Sequence, residues 1–135
     1  MRLSTEHPYV TRVRRAKEVY DRNRNDPTPL YDLHADDVIL HAPGTSPLGG
    51  GVRGRANVFA RLQKMAELSR GTFEAISTSL SGNGDFVSLL HRVTARRGDK
   101  QLDQTLAELW RFENHKCVEV WAQFSNQEAW DAFWR

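Results

Sequence analysis

Six residues, GGGVRG from Gly49 to Gly54, fit G-x-G-x-x-G, the spacing of loops that cradle the phosphates of a dinucleotide. Five histidines are the other groups suited to chemistry at neutral pH, because imidazole titrates there and carries a proton in either direction. His41 ends one apolar stretch, VILHA, and His91 lies inside another, LLHRV. Glu108, in TLAELWRF, is a carboxylate among apolar neighbours. Turned into a dry hollow, any of these three is placed for acid–base work. Turned outward by one step of strand register, each is an ordinary surface group. The lone cysteine, Cys117, has no basic partner nearby in sequence and reads as a small buried residue. No histidine pair has metal-ligand spacing, and His34 and His41 are assigned to different elements, so neither a metal nor a cofactor is expected.

The elements that position these groups follow from hydrophobic periodicity. Tyr9, Val10, Val13, Ala16, Val19 and Tyr20 recur at three- and four-residue steps, which predicts an amphipathic helix over residues 8–24. The RNDPTP stretch ends it, since proline disfavours helical geometry in the residue before it. LYDLHADD predicts one or two short helical turns and VILHA a strand, closed by Pro43-Gly44. Val58, Phe59, Leu62, Met65 and Ala66 mark a second helix ending near Arg70-Gly71. From Thr72 the period becomes two. TFEAISTSL, DFVSLLHRVTARR, KQLDQTLAELWRF and KCVEVWAQF read as four strands rich in β-branched and aromatic residues, joined through SGNGD, RGDK and ENHK in an antiparallel meander. Ser125 and Glu128 form a capping-box pattern before a short helix striped with Ala129, Trp130, Phe133 and Trp134.

Helices grouped ahead of an antiparallel sheet predict an α+β architecture. That order answers the glycine motif. A dinucleotide fingerprint needs a strand directly before its first glycine and a parallel strand after its helix. Here the strand ends near Ala42 and hairpins follow the helix, so GGGVRG reads as a rim loop.

The 135 residues suit one domain, 1–135, and 39% hydrophobic residues is too apolar for disorder. No apolar run approaches the ~20 residues of a membrane span. With one cysteine and no apolar leader in MRLSTEHPYVTRVRR, a cytoplasmic location is expected. Arg12, Arg14, Arg15, Lys17, Arg22 and Arg24 cluster early but lack nearby groove-reading or stacking groups. They read as a solvated helix face, with no nucleic-acid or membrane partner.

The combination of a long first helix, ADDVILHAPGTSPLGGGVRGRANV, a second helix, and a meander holding LLHRVTARRGDKQL and LWRFENHKCVEVW resembles the nuclear transport factor 2-like superfamily. Within it, the likeness is to SnoaL-like and ketosteroid isomerase-like proteins and covers nearly the whole chain. Asp36-Asp37-Val38, Pro43-Gly44 and Gly54-Arg55 stand where that group has its "DDV…PG…GR" signature. The resemblance implies a cone-shaped, strongly curved antiparallel sheet wrapped around the N-terminal helices, with a short C-terminal helix and an apolar pocket at one end. It also implies a homodimer, since a curved sheet leaves one outer face to cover. Function does not follow from the fold, because the superfamily includes isomerases, cyclases, epoxide hydrolases and non-catalytic binders.

Carried over residue by residue, the resemblance removes as much as it adds. The isomerase-like aspartate base falls on Ala42, and the last-strand aspartate of SnoaL-like cyclases falls on Ala122. The arginine–carboxylate pair of epoxide hydrolases falls on Arg92 and Thr94. His41, beside the base position, is the substitute proton carrier if it faces inward. His91 matches a pocket-lining position, and Glu108 matches an acid that donates to an oxyanion. Facing inward, Glu108 would have to be protonated or bonded to a histidine; facing outward it would pair with Arg92 or Arg111. Tyr20, Tyr31, Ala42, Val93, Leu106, Trp110, Ala122 and Phe124 complete the expected pocket wall. The expected ligand is a small apolar carbonyl compound, polyketide- or steroid-like, handled by proton transfer. A non-catalytic binder or dimerisation domain is the alternative.

Overall fold

The computed structural model describes residues 6–22 and 27–135, so the last positions of the predicted first helix, and Arg24, lie outside the described residues. Helix α1 covers Pro8–Arg22 and buries Val10, Val13, Ala16 and Lys17. Helix α2, Thr28–Leu33, is a single short piece. Its C-cap, His34, is already extended, and strand β1 runs His34–His41, four residues longer than VILH alone. The predicted helical turns over HADD are corrected here. Pairing with a distant strand overrides the weak local preference of a segment with few β-formers.

Strand β2, Val52–Arg53, was not legible in the glycine-rich loop, and it pairs antiparallel with β1. Helix α3 spans Arg55–Leu68. Four long strands follow: β3, Glu74–Asn83; β4, Phe86–Arg97; β5, Lys100–Glu113; and β6, Lys116–Phe124. Helix α4, Gln127–Trp134, closes the chain. The β5–β6 turn uses two residues at positive φ, Asn114 at 50° and His115 at 67°, the two-residue geometry whose twist matches that of the strands it joins. The cap of α4 is Asn126, whose side chain accepts from the Ala129 N–H, and not Ser125. Ser125 Oγ instead accepts from the Thr105 N–H, tying the end of β6 to β5.

The six strands form one curved, open sheet in the order β2-β1-β6-β5-β4-β3. The α+β fold is as the sequence predicts, with one change. The sheet is not wholly antiparallel, because β1 lies parallel to β6, joining the first long strand to the last. Inward positions on β4 are Val87, Leu89, His91, Val93 and Ala95, each buried, while their neighbours are not. Among the described residues no helix is long and apolar enough to cross a membrane.

Two hydrophobic clusters form inside the curve. One joins α1 and α2 to Val87, Leu89, Trp110, Phe112, Cys117 and Val120. The other joins Trp130, Phe133 and Trp134 of α4 to Leu48, Val93, Ala95 and Leu102. Between them α3 presents an apolar stripe, yet it has no buried residue. A stripe laid on a filled core would be buried. This one lines a hollow.

Candidate active site

The hollow has a volume of ≈ 200 Å³. Its walls come from α1 (Lys17, Tyr20), β1 and its exit (His34, Leu40, Ala42), α3 (Val58, Phe59, Leu62, Met65), the inner faces of β4 to β6, and Trp130 of α4. Most of this lining is apolar. The polar side chains in it are Lys17, Tyr20, Asp21, His34, Arg61, Glu74, His91 and Glu108.

His91 and Glu108 face each other across this wall. They sit on adjacent antiparallel strands, His91 opposite Leu106 and Glu108 opposite Leu89, so they meet on the diagonal. His91 Nε2 lies 2.8 Å from Glu108 Oε1. The imidazole is buried at 3% exposure, and the carboxylate is mostly covered. On the far side of the ring, His91 Nδ1 lies 3.1 Å from Ser77 Oγ. Ser77 is the direct cross-strand partner of His91 on β3. Three strands thus contribute one residue each to a continuous chain, Ser77–His91–Glu108. A serine hydroxyl both donates and accepts, so the chain can be written with Nε2–H donating to an ionised Glu108 and Nδ1 accepting from Ser77, or with Nδ1–H donating to Ser77 and Nε2 accepting from a protonated Glu108, the second form holding one proton more. Glu108 Oε2 has no protein partner among the described residues and is the oxygen left to an occupant of the hollow.

The family acid positions are empty of acids and face inward. Ala42 and Ala122 are both in the wall, and Ala122 is the direct cross-strand neighbour of Glu108. Arg92 lies on the outer face, bonded through Nη2 and Nε to Asp103, and Thr94 shares that face, so no arginine–carboxylate pair enters the cavity there.

Several expectations for the wall need correction. His41 points away from the cavity. Leu40 and Ala42 face inward beside it, and strand alternation sends His41 to the outer face, in register with Trp121. There it stacks on the Trp121 ring at 5.4 Å and reaches Glu119 Oε2 at 2.6 Å. Glu119 is held below the usual carboxylate range by the His41 bond, opposed by burial and reinforced by Arg111. Val93 does face inward but is fully buried in the α4 cluster, beyond the cavity floor. Tyr31 packs edge-on against Phe59 and under the Arg55 guanidinium, which lies 4.2 Å from its centroid, and it does not reach the hollow. Tyr20, Leu106, Trp110 and Phe124 are in the wall.

Three residues that sequence reasoning passed over also shape the site. Ser77 gave no signal, being one of several serines in an alternating strand. Lys17 belongs to the basic cluster read as solvated, but it is buried, and Nζ donates to the Ala75 carbonyl at 3.0 Å. Its hydrocarbon stem covers apolar surface while the ammonium reaches the sheet edge. His34 stands on β1 with His41, contrary to their assignment to different elements. It is buried in the wall, and Nδ1 lies 2.7 Å from the Leu30 carbonyl. Burial pushes its pKa below the ordinary histidine value of 6.5. Cys117 is fully buried, and burial pushes its thiol up to about 12, so it is inert as a nucleophile.

The glycine loop is a rim. Gly49 passes so close to Gly44 that a Cβ on it would lie 2.6 Å from the Gly44 carbonyl carbon and oxygen. Arg61 of α3 donates to the Gly50 carbonyl at 2.8 Å and ties the loop to the cavity wall.

A profile of the SnoaL-like domain family matches residues 13–120. The chain belongs to the SnoaL-like domain family. This SnoaL-like protein is 30% identical over 112 residues to an uncharacterized protein of Mycobacterium tuberculosis, Rv0034, covering 82% of this chain and 86% of the other. In structure it is similar to Bal32a, from a soil-derived mobile gene cassette, with a TM-score of 0.87 and 31% identity over 94% of this chain and 96% of that one. It is also similar to a Xanthomonas campestris protein of cystatin-like fold and unknown function. That match has a TM-score of 0.77 and 32% identity, over 89% of this chain and 95% of that one.

Proposed function

We propose that this SnoaL-like protein is a proton-transfer enzyme, an isomerase or cyclase acting on a small, largely apolar carbonyl compound of polyketide- or steroid-like character. The observation that carries the reading is the His91–Glu108 pair at 2.8 Å in a largely apolar cavity. Glu108 is the group that meets substrate. Its free oxygen takes a proton from the carbon next to the carbonyl and returns it at a second position, while His91 shares the carboxylate through the other oxygen. Ser77 fixes the ring by holding Nδ1. Exclusion of water by the aromatic and aliphatic walls strengthens these interactions. The developing oxyanion needs a donor, and Tyr20 of α1 is the cavity-lining phenol that supplies one.

Solvent exchange at the α-carbon of an enolisable bicyclic ketone such as β-tetralone, followed by proton NMR in deuterated buffer, tests this. Wild type accelerates exchange, and Glu108→Gln removes the acceleration. Equal rates for the two proteins overturn the reading.

The second reading, a non-catalytic binder of apolar ligands, is favoured by Ala42 and Ala122, which leave methyl groups where the family carries acids. Ligand binding without exchange selects it.

We further propose that the protein forms a homodimer through the outer face of the sheet. Phe86, Leu90, Leu109 and Trp121 are 36–43% exposed and lie together on that face of β4, β5 and β6. A second copy of the same patch is the occupant that the sequence itself supplies.

A further inference from the structure

His34 is a buried imidazole in the cavity wall that the proton-transfer chain does not use. Its ring is held on three sides. The edge of Phe59 meets it at 5.3 Å and 82°, Trp110 at 5.0 Å and 60°, and the Leu30 carbonyl at 2.7 Å from Nδ1. A carbonyl oxygen only accepts, so the nitrogen facing it must carry the hydrogen. In the neutral ring that leaves Nε2 as a bare lone pair. Neutrality follows from the surroundings, because a second proton would place a charge among two aromatic rings in a water-poor wall. Nε2 has no protein partner among the described residues. A half-turn of the ring would set a C–H against the Leu30 carbonyl, so the orientation is fixed by the helix end that His34 caps.

We propose that His34 is a specificity residue whose Nε2 accepts a hydrogen bond from a hydroxyl group of the bound compound, so that the ligand class is a hydroxylated carbonyl compound, phenolic or enolic, and not a bare hydrocarbon ketone. This rests on the proton-transfer reading of the same cavity. The two polar poles have different chemistry. On β5, Glu108, bonded to His91 of β4, exchanges a proton with the ligand. On β1, His34 offers an acceptor that holds no proton to give. A ligand carrying both a hydrogen-bond donor and an enolisable carbonyl satisfies both. An apolar ketone leaves the His34 lone pair desolvated and unpaired. The cost of that loss makes a polar-group requirement more discriminating than apolar fit.

The test compares β-tetralone with its ring-hydroxylated analogues, with affinity measured by calorimetry and α-carbon exchange by NMR. One hydroxylated analogue binds wild type roughly five- to tenfold more tightly than the parent ketone, the range expected of one hydrogen bond to an otherwise unpaired group. In His34→Phe that preference disappears, the hydroxylated analogue and the parent ketone then binding with equal affinity. Nitrogen NMR of wild type, which needs no variant, shows the Nε2 resonance of His34 moving with the hydroxylated ketone and not with the parent. A preference that survives in His34→Phe, or an Nε2 resonance that responds alike to both ketones, overturns the assignment and leaves the proton-transfer reading standing. Binding with a His34-dependent preference but no exchange supports His34 and overturns proton transfer. Failure of every ketone to bind overturns both.

Discussion

His91 and Glu108 are two residues apart in cross-strand register, and this diagonal brings the imidazole and carboxylate to 2.8 Å in the wall of the hollow. The bond explains how a carboxylate is accommodated in an apolar wall. An isolated charge there would be costly, but one shared with a ring that is itself bonded to Ser77 is not isolated. It also couples the two residues, so removing either one leaves the other without its partner.

Glu108→Gln and His91→Ala are expected to slow ketone exchange by about 10²- to 10⁴-fold each, the range of a positioned acid–base group. The double variant should lose little more than either single one. Ser77→Ala, which removes one neutral hydrogen bond worth about 1 kcal/mol, should slow exchange within roughly tenfold. Rate constants for the wild type and the four variants against one ketone check this. A double variant that loses the product of the single effects would separate the residues.

How much of this was legible in the sequence depended on range. The hairpins were, because SGNGD, RGDK and ENHK are local signals and period two is unbroken along β4. The inward direction of Glu108 was left open, because register decides it and a slip of one in a turn reverses it. Strand β1 was read four residues short. His34-Ala35-Asp36-Asp37 has little strand preference of its own; it is anchored to β6 at His34, opposite Cys117, and the ladder is irregular until it resumes at Ile39, a long-range pairing which no local window contains. The same blind spot hid His34 as a wall residue. Lys17 was misread for a related reason. Its partner, the Ala75 carbonyl, is on another element, and a lysine in a basic run carries no mark of burial.

His41→Ala provides the negative control. The residue neighbours the family base position in sequence but sits on the opposite face, with its side chain 45% exposed. Ketone exchange should remain at the wild-type rate, and stability should change little, since exposed ion pairs are screened. A large loss of exchange in this variant would mean that β1 is out of register with the structure.

Trp121→Arg and Leu109→Arg should convert a dimer to monomer. The two side chains are direct cross-strand partners on the outer face, so a cation at either position lies in the middle of the apolar patch. Burying an unpaired charge costs several kcal/mol, enough to abolish association. Sedimentation velocity at micromolar concentration reads the change. A monomeric wild type would remove the proposed interface.

Asp131 of α4 links the rim loop to the C-terminal helix, and its effect should depend on pH. Its carboxylate accepts from the Thr45 N–H at 3.2 Å, the Ser46 N–H at 3.4 Å and the Gln127 amide at 3.3 Å. Burial works to raise its pKa, but the Thr45 and Ser46 backbone bonds, with Gln127 and nearby Arg135, outweigh it and leave the group below its ordinary value of 3.8. A depressed folded value means that the unfolded chain takes up the proton first as pH falls. The stabilisation is therefore complete above the ordinary value and is lost progressively below it, until the folded form is protonated too. Asp131→Ala should cost about 1–3 kcal/mol at pH near 7, because two backbone donors lose their acceptor. The gap between variant and wild type should narrow below pH ~4, where the carboxylate no longer discriminates between the two states. Urea unfolding across that range measures it, and a gap that widens in acid would contradict the sign.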